Sequence, residues 1–329
     1  DLNTMSDNFI EAISEDQIGM LWIGTRNGVN TFDRQSSRFT RYVNDPKNLA
    51  SLSGNRVNAI QSEPSGTVWI GTHGGGLSKV DRNKEQFAHI VRDPNKTASL
   101  SNNFVWSIFE DGKGFLWIGT DDGLNKLDRR TGTAAHYVNN PRDPHSLSNN
   151  VVYSILETRT GDFWIGTDRG LNLLDRKSNS FARFIGNAKD TTALASGTIF
   201  SLFEDHLGTL WVGTSGGGLH QYDRTSKRFR RWGPPSAIVS RNFEGHEGTL
   251  WVCTWITGLF RFNRTSGQFT QYLHDPNNPA SISHNTVYAI QETFEDGKPI
   301  LWLGTRSGFN RFDPATGRFK RYHEKDGLP

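Results

Sequence analysis

The pentapeptide Leu21-Trp22-Ile23-Gly24-Thr25 returns six more times, and that recurrence limits what this chain can fold into more than any other feature. Its copies start at Trp69 (WIGT), Trp117 (WIGT), Trp164 (WIGT), Trp211 (WVGT), Trp251 (WVCT) and Trp302 (WLGT). Successive tryptophans lie 47, 48, 47, 47, 40 and 51 residues apart. A near-constant period of this size belongs to repeat architectures, where each unit buries its apolar face against the next. The 329 residues therefore read as seven units of one domain rather than as two domains.

The second unit shows the internal plan. Its β-rich runs are Ser53–Ile60, Val68–Thr72, Leu77–Asp81 and Gln86–Val91. Polar turns separate them at Glu63-Pro64-Ser65-Gly66, Gly74-Gly75-Gly76 and Arg82-Asn83-Lys84-Glu85. Short runs punctuated by Gly, Pro, Asn and Asp are the pattern of antiparallel hairpins. Four strands in each of seven units predict an all-β fold, a seven-bladed β-propeller with four antiparallel strands per blade. The blades are expected at approximately 8–43, 55–91, 103–138, 150–185, 197–232, 237–273 and 285–323, within a single propeller spanning 1–329. The end of the chain, Asp326-Gly327-Leu328-Pro329, reads like the lead-in to another unit, so a longer protein is expected.

What recurs seven times must serve packing. The tryptophans are expected to be wedges between blades, since an indole buries about 150–250 Å². The glycine after each Trp-Ile pair leaves room for a neighbouring side chain. The third strand usually ends in Asp-Arg (Asp33-Arg34, Asp81-Arg82, Asp128-Arg129, Asp175-Arg176, Asp223-Arg224), where the carboxylate can accept backbone N–H bonds in the turn. The linkers NDPKNLASLSGN (44–55) and RDPNKTASLSNN (92–103) carry a Leu expected to tuck the loop onto the blade.

Composition removes several function classes. Lys and Arg number 37 against 34 Asp and Glu, with no run of like charge, which argues against non-specific nucleic-acid binding. Cys253 is the only cysteine, so neither an intrachain disulfide nor a cysteine zinc site is available. Inside an apolar strand it reads as a small hydrophobe. No stretch of 18 apolar residues exists to span a membrane. The ten histidines share no metal spacing and most read as surface loop residues, and no G-x-S-x-G elbow occurs. No catalytic residue, metal site or cofactor is expected, and the chain does not read as an enzyme.

Unit three displays the full pattern: Asn103, Val105, Ile108, Glu110-Asp111, Gly114, Leu116 to Thr120, Gly123-Leu124, Asp128 and Tyr137. It resembles the two-component regulator propeller repeat, and the resemblance covers all seven units. It implies a periplasmic sensor portion of a bacterial membrane receptor of the hybrid histidine kinase type. A second propeller or a downstream signalling domain of the same chain, an oligosaccharide ligand and a homodimer follow as expected partners. The competing reading is a protein-interaction or dimerisation scaffold without a small ligand, and a propeller lyase ranks last.

A ligand site on a repeating frame must come from positions that differ between units. The loop after each W-I-G-T differs: it reads Arg26-Asn27, His73-Gly74, Asp121-Asp122, Asp168-Arg169, Ser215-Gly216, Trp255-Ile256 and Arg306-Ser307. So does the inner-strand residue before a small one: Glu11, Asn58, Trp106, Tyr153, Phe200, Ser240 and Tyr288. Unit six departs furthest. It places Arg241 where the others have Ala or Ser, Asn242 where they have Ile or Leu, Cys253 in place of Gly, and Trp255 in an otherwise polar loop. Arg26, His73, Trp106, Asp121, Tyr153, Arg169, Arg241, Trp255 and Arg306 are the candidate ligand-binding residues, with polar groups to fix hydroxyls and aromatic faces to stack on a sugar ring.

Overall fold

Among the described residues the predicted hairpin turns sit where short apolar runs end, and the chain between turns is extended. The computed structural model describes residues 4–81, 86–234 and 236–323. Its 28 strands form seven four-stranded antiparallel sheets of consecutive strands, a seven-bladed β-propeller with no helix among the described residues. Blade 1 is Ile10–Glu15, Leu21–Thr25, Gly28–Asp33 and Arg38–Tyr42; the other six repeat that plan, blade 6 starting at Ile238 and blade 7 at Val287. No blade borrows a strand from another. The expected Arg82–Glu85 turn and the Asp326–Pro329 end lie outside the described residues. The chain falls into two compact units, residues 1–108 with 272–329, and residues 109–271.

The wedge role of the tryptophans is visible in both units. Trp22 packs among Val57, Val68, Ile70, Val80 and Phe87 of blade 2. Trp302 of blade 7 does the same with Ile10, Ile23 and Phe32 of blade 1. In the other unit, Trp117, Trp164 and Trp211 each join the core of the blade that follows. Removing one indole from water is worth about 4–6 kcal/mol by area. The glycine two residues on is what lets the next blade approach. A Cβ on Gly304 would stand 2.6 Å from Ile10 Cγ2, and one on Gly213 2.6 Å from Val239 Cγ1.

Each wedge also needs a partner for its indole N–H. Trp22, Trp117 and Trp211 donate to Asp16, Asp111 and Asp205 at 3.0, 2.8 and 2.8 Å. Trp69 uses Glu63 at 2.6 Å and Trp302 uses Thr293 at 2.9 Å. The glutamate that ends the first strand takes the arginine that follows the third: Arg34 to Glu15, Arg129 to Glu110 and Arg176 to Glu157, each at 2.6 Å. The aspartate before that arginine caps the turn as expected, Asp33 accepting from Gln35 N at 2.9 Å and Asp128 from Arg130 N at 2.9 Å. These bonds hold both carboxyls below the ordinary value, Asp33 mainly through Ser36 and Asp128 mainly through the Arg130 amide. Linker residues Leu52, Leu100, Leu147, Leu194 and Ile282 are buried, which anchors each loop to a blade.

One histidine is not where the scatter of histidines placed it. His220 is fully buried, at the strand position filled by Asn30, Asn125, Asn172 and Asn310 in other blades. Its Nε2 accepts from Ala195 N at 3.0 Å. Burial, with Arg231 adding to it, lowers the imidazole to about 4, so it is neutral.

Candidate functional site

The first strand of a blade begins with an apolar residue opposite the motif threonine, as Ile10 pairs with Thr25 and Val152 with Thr167. The next pairing skips a residue: Ala12 meets Gly24, and Ser154 meets Gly166. Blades 2, 5, 6 and 7 show the same shift. The skipped residues are Glu11, Asn58, Tyr153, Phe200, Ser240 and Tyr288, so the variable inner-strand position is a β-bulge. A bulge adds one unpaired residue and re-aims its side chain. All six are half-buried. Each lies at the same end of its blade as the loop after W-I-G-T, because the register puts both beside the motif threonine.

In the unit formed by residues 109–271, blades 4, 5 and 6 bring three aromatic rings together. Tyr153 and Phe200 have centroids 4.9 Å apart, and Phe200 and Trp255 are 5.0 Å apart with planes inclined by 32°. Trp255 is not in a loop as expected. It ends the strand Leu250–Trp255 and pairs with Ile238, because blade 6 starts its first strand one residue earlier opposite the motif. The turn follows at Ile256, which is 70% exposed and has φ of 72°. A β-branched residue resists that left-handed conformation, so the turn beside Trp255 is strained. Asp168 and Asp121 both act on Tyr153; burial first, then these carboxylates, push its phenol up to about 12. Asp168 also accepts from Thr198 Oγ1 at 3.3 Å. Arg241 pairs in register with Cys253, where other blades pair Ala or Ser with Gly. Its side chain is exposed and, among the described residues, has no hydrogen-bond or ion-pair partner. Cys253 is buried, which pushes its thiol up to about 12. Arg169 is exposed at the end of its loop, and the structure joins it to none of the other candidates.

In the unit formed by residues 1–108 and 272–329, blades 7, 1 and 2 build a different group. Glu11 receives Arg56 at 3.0 and 3.2 Å through two nitrogens, and Arg26 at 3.3 Å. The Arg26 guanidinium also lies 3.5 Å over the Phe9 ring, which stacks on Tyr288 at 4.9 Å. Tyr288 feels Glu11, Arg26, Arg306 and Arg56 together, with burial the largest influence raising its phenol. His73 meets Phe104 and Trp106 edge-on at 4.4 and 5.6 Å. Glu11, Phe9, Arg56, Phe200 and Tyr288 thus join the candidates. Glu11, Phe200 and Tyr288 occupy the variable inner-strand position and Phe9 and Arg56 lie two residues before it; periodicity alone does not turn that position into a bulge.

These are two clusters of stacked rings and fixed charges on a repeating all-β frame. Among the described residues no group of three or more His, Cys, Asp or Glu could hold a metal, and no helix is long and apolar enough to cross a membrane. The chain carries the repeat of a known family: the model described as Two component regulator propeller matches residues 4–27, 51–74, 99–122, 146–169 and 193–216. Blade 6, with its changed motif, is not among the matched copies, and neither is blade 7. No curated protein matches the sequence. Among solved structures the chain is similar to the extracellular domain of a B. thetaiotaomicron protein described as a hybrid two component system, at 25% identity and a TM-score of 0.81 over 93% of this chain. A second B. thetaiotaomicron extracellular domain, described as belonging to a one component system, aligns over 98% of this chain at 20% identity and a TM-score of 0.73, a likeness of fold. This chain spans 40% of the length of either of them. Virginiamycin B lyase from Staphylococcus aureus shares the fold at 14% identity, with a TM-score of 0.66 over 98% of this chain and 97% of that one. The repeat and the first of these structures group the chain with two-component-system propellers; the likeness to the lyase is one of fold.

Proposed function

We propose that this chain is the periplasmic ligand-sensing module of a bacterial signal-transduction receptor, and that it binds an oligosaccharide or a similar polyhydroxyl molecule at Tyr153, Phe200 and Trp255. The family and the extracellular relative support sensing. The aromatic arc of three consecutive blades carries the choice of ligand. Ring faces stack on the C–H face of a pyranose, and neighbouring carboxylates such as Asp168 and Asp121 accept its hydroxyls. The 40% coverage of the relatives supports a larger receptor, whose further parts would include a second propeller or a signalling domain. Screening neutral oligosaccharides by thermal shift and calorimetry tests the site. A binder that loses at least about fivefold in affinity on Trp255→Ala is expected, taking the roughly 1–3 kcal/mol of a base stacked on an aromatic side chain as the scale. No binder at millimolar concentration, or a binder indifferent to Trp255→Ala, refutes it.

A further inference from the structure

We propose that Arg26, Arg56 and Arg306, gathered about Tyr288, form a binding site for an oxyanion, the carboxylate or sulfate group of an acidic ligand. The geometry motivates it: Arg26 and Arg56 converge on the single carboxylate of Glu11, at 3.3 and 3.0 Å, and Arg306 joins them among the charges acting on Tyr288. Elsewhere the arginines that follow the third strands have glutamate partners, as Arg34, Arg129 and Arg176 do. Here Arg306 is exposed, and among the described residues its side chain has no hydrogen-bond or ion-pair partner; its backbone N–H donates to Thr286 O at 3.1 Å.

Two of the three cations are also fixed before any ligand arrives. Arg56 grips both oxygens of Glu11, at 3.0 and 3.2 Å. Arg26 uses only its Nε on Glu11, at 3.3 Å, while its flat face rests 3.5 Å over Phe9. Among the described residues its terminal nitrogens are bonded to nothing else, so the edge of the fork that matches a planar or tetrahedral oxyanion stays open. Holding a guanidinium by stacking and a single bond lowers the entropy lost when it binds. The half-buried Glu11, with its side chain 10% exposed, acts as the orienting group and not as the ligand.

Inorganic sulfate and trigalacturonate serve as probes, each titrated calorimetrically into the full chain at a fixed ionic strength of about 0.15 M balanced with chloride. At least one should bind with heat above the chloride control. Arg306→Ala and Arg26→Ala should each weaken that binding about five- to tenfold, while Arg142→Ala, at an exposed arginine of the linker before blade 4, leaves it unchanged. The Arg306 side chain has no hydrogen bond or ion pair to lose among the described residues, and its backbone bond to Thr286 survives in the alanine variant, so that variant reads binding and not folding. Failure of both probes to exceed chloride overturns the site, and so does equal weakening by Arg142→Ala. The outcome is separable from the sugar site: Trp255→Ala should leave the anion titration as it was, whatever it does to neutral oligosaccharides.

Discussion

The indole Nε1 of Trp117 donates to Oδ2 of Asp111 at 2.8 Å, six residues upstream and across the first hairpin turn of blade 3. The other oxygen of that carboxylate accepts from Lys113 N and Phe115 N, both at 3.0 Å, and Arg176 lies 3.4 Å from Oδ2. One side chain therefore closes the turn, satisfies the wedge and meets the next blade's arginine. Asp111→Ala should cost about 3 kcal/mol, since it orphans a buried indole N–H and two turn amides, and leaves Arg176 with Glu157 as its remaining carboxylate. Urea unfolding checks this; a loss below about 1 kcal/mol would mean the bonds are replaced by water.

Blade 4 lacks this device. Thr158 stands where Asp16, Asp111 and Asp205 stand, and the Trp164 Nε1 is buried without an acceptor. The arginine of the next blade that meets Asp111 and Asp205, at 3.4 Å in each case, is here Arg224, which turns instead to Asp162 and Thr160. Thr158→Asp should supply the missing acceptor and stabilise by about 1 kcal/mol. A raised urea midpoint, with a slowed exchange of the Trp164 indole proton, is the expected reading.

The motif glycines predict a contrast within one residue type. A Cβ on Gly304 would meet Ile10 Cγ2 at 2.6 Å and the Ile10 carbonyl oxygen at 3.1 Å. Gly304→Ala should cost about 2 kcal/mol, the penalty of overpacking. Gly112 has nothing within 4 Å of its Cβ position, so Gly112→Ala should stay within about 0.5 kcal/mol of wild type. Thermal denaturation of the two variants side by side decides it.

His220 makes stability pH-dependent on the acid side. The folded state holds it neutral down to about 4, against an ordinary value of 6.5. Its contribution is complete above pH 6.5 and is lost as pH falls from 6.5 toward 4, because the unfolded chain takes up the proton first. The difference amounts to roughly 3 kcal/mol. His220→Asn, the residue that blades 1, 3, 4 and 7 use there, should flatten that slope while the alkaline side is unchanged. Unfolding free energies measured at pH 7, 5.5 and 4 give the comparison.

Much of this was readable from the chain itself, for a physical reason. A repeat states the same packing problem seven times, so Trp22 and its copies, the glycine that follows and the capping aspartates declare their roles by recurrence. What recurrence hides is register. Nothing in the letters marks Glu11 or Tyr153 as a bulge, because the skipped partner lies on another strand. Trp255 looked like a loop residue for the same cause: its strand is extended by Ile238, seventeen positions away in the sequence. His220 was lost among scattered histidines because its place is defined by Asn30 and Asn172, not by other histidines. The arginines about Tyr288 come from three blades, and only the fold brings them to one phenol.

The bulge has a consequence for how such a protein can be altered. A side chain that takes no part in strand pairing carries no information about register, so replacing it does not rewrite the sheet around it. Glu11, Asn58, Tyr153, Phe200, Ser240 and Tyr288 are thereby independent addresses on an otherwise uniform frame. Recognition could drift by single substitutions at these addresses without passing through an unfolded intermediate. A combinatorial library confined to them should return mostly folded members, which makes the frame a natural alphabet for new specificities.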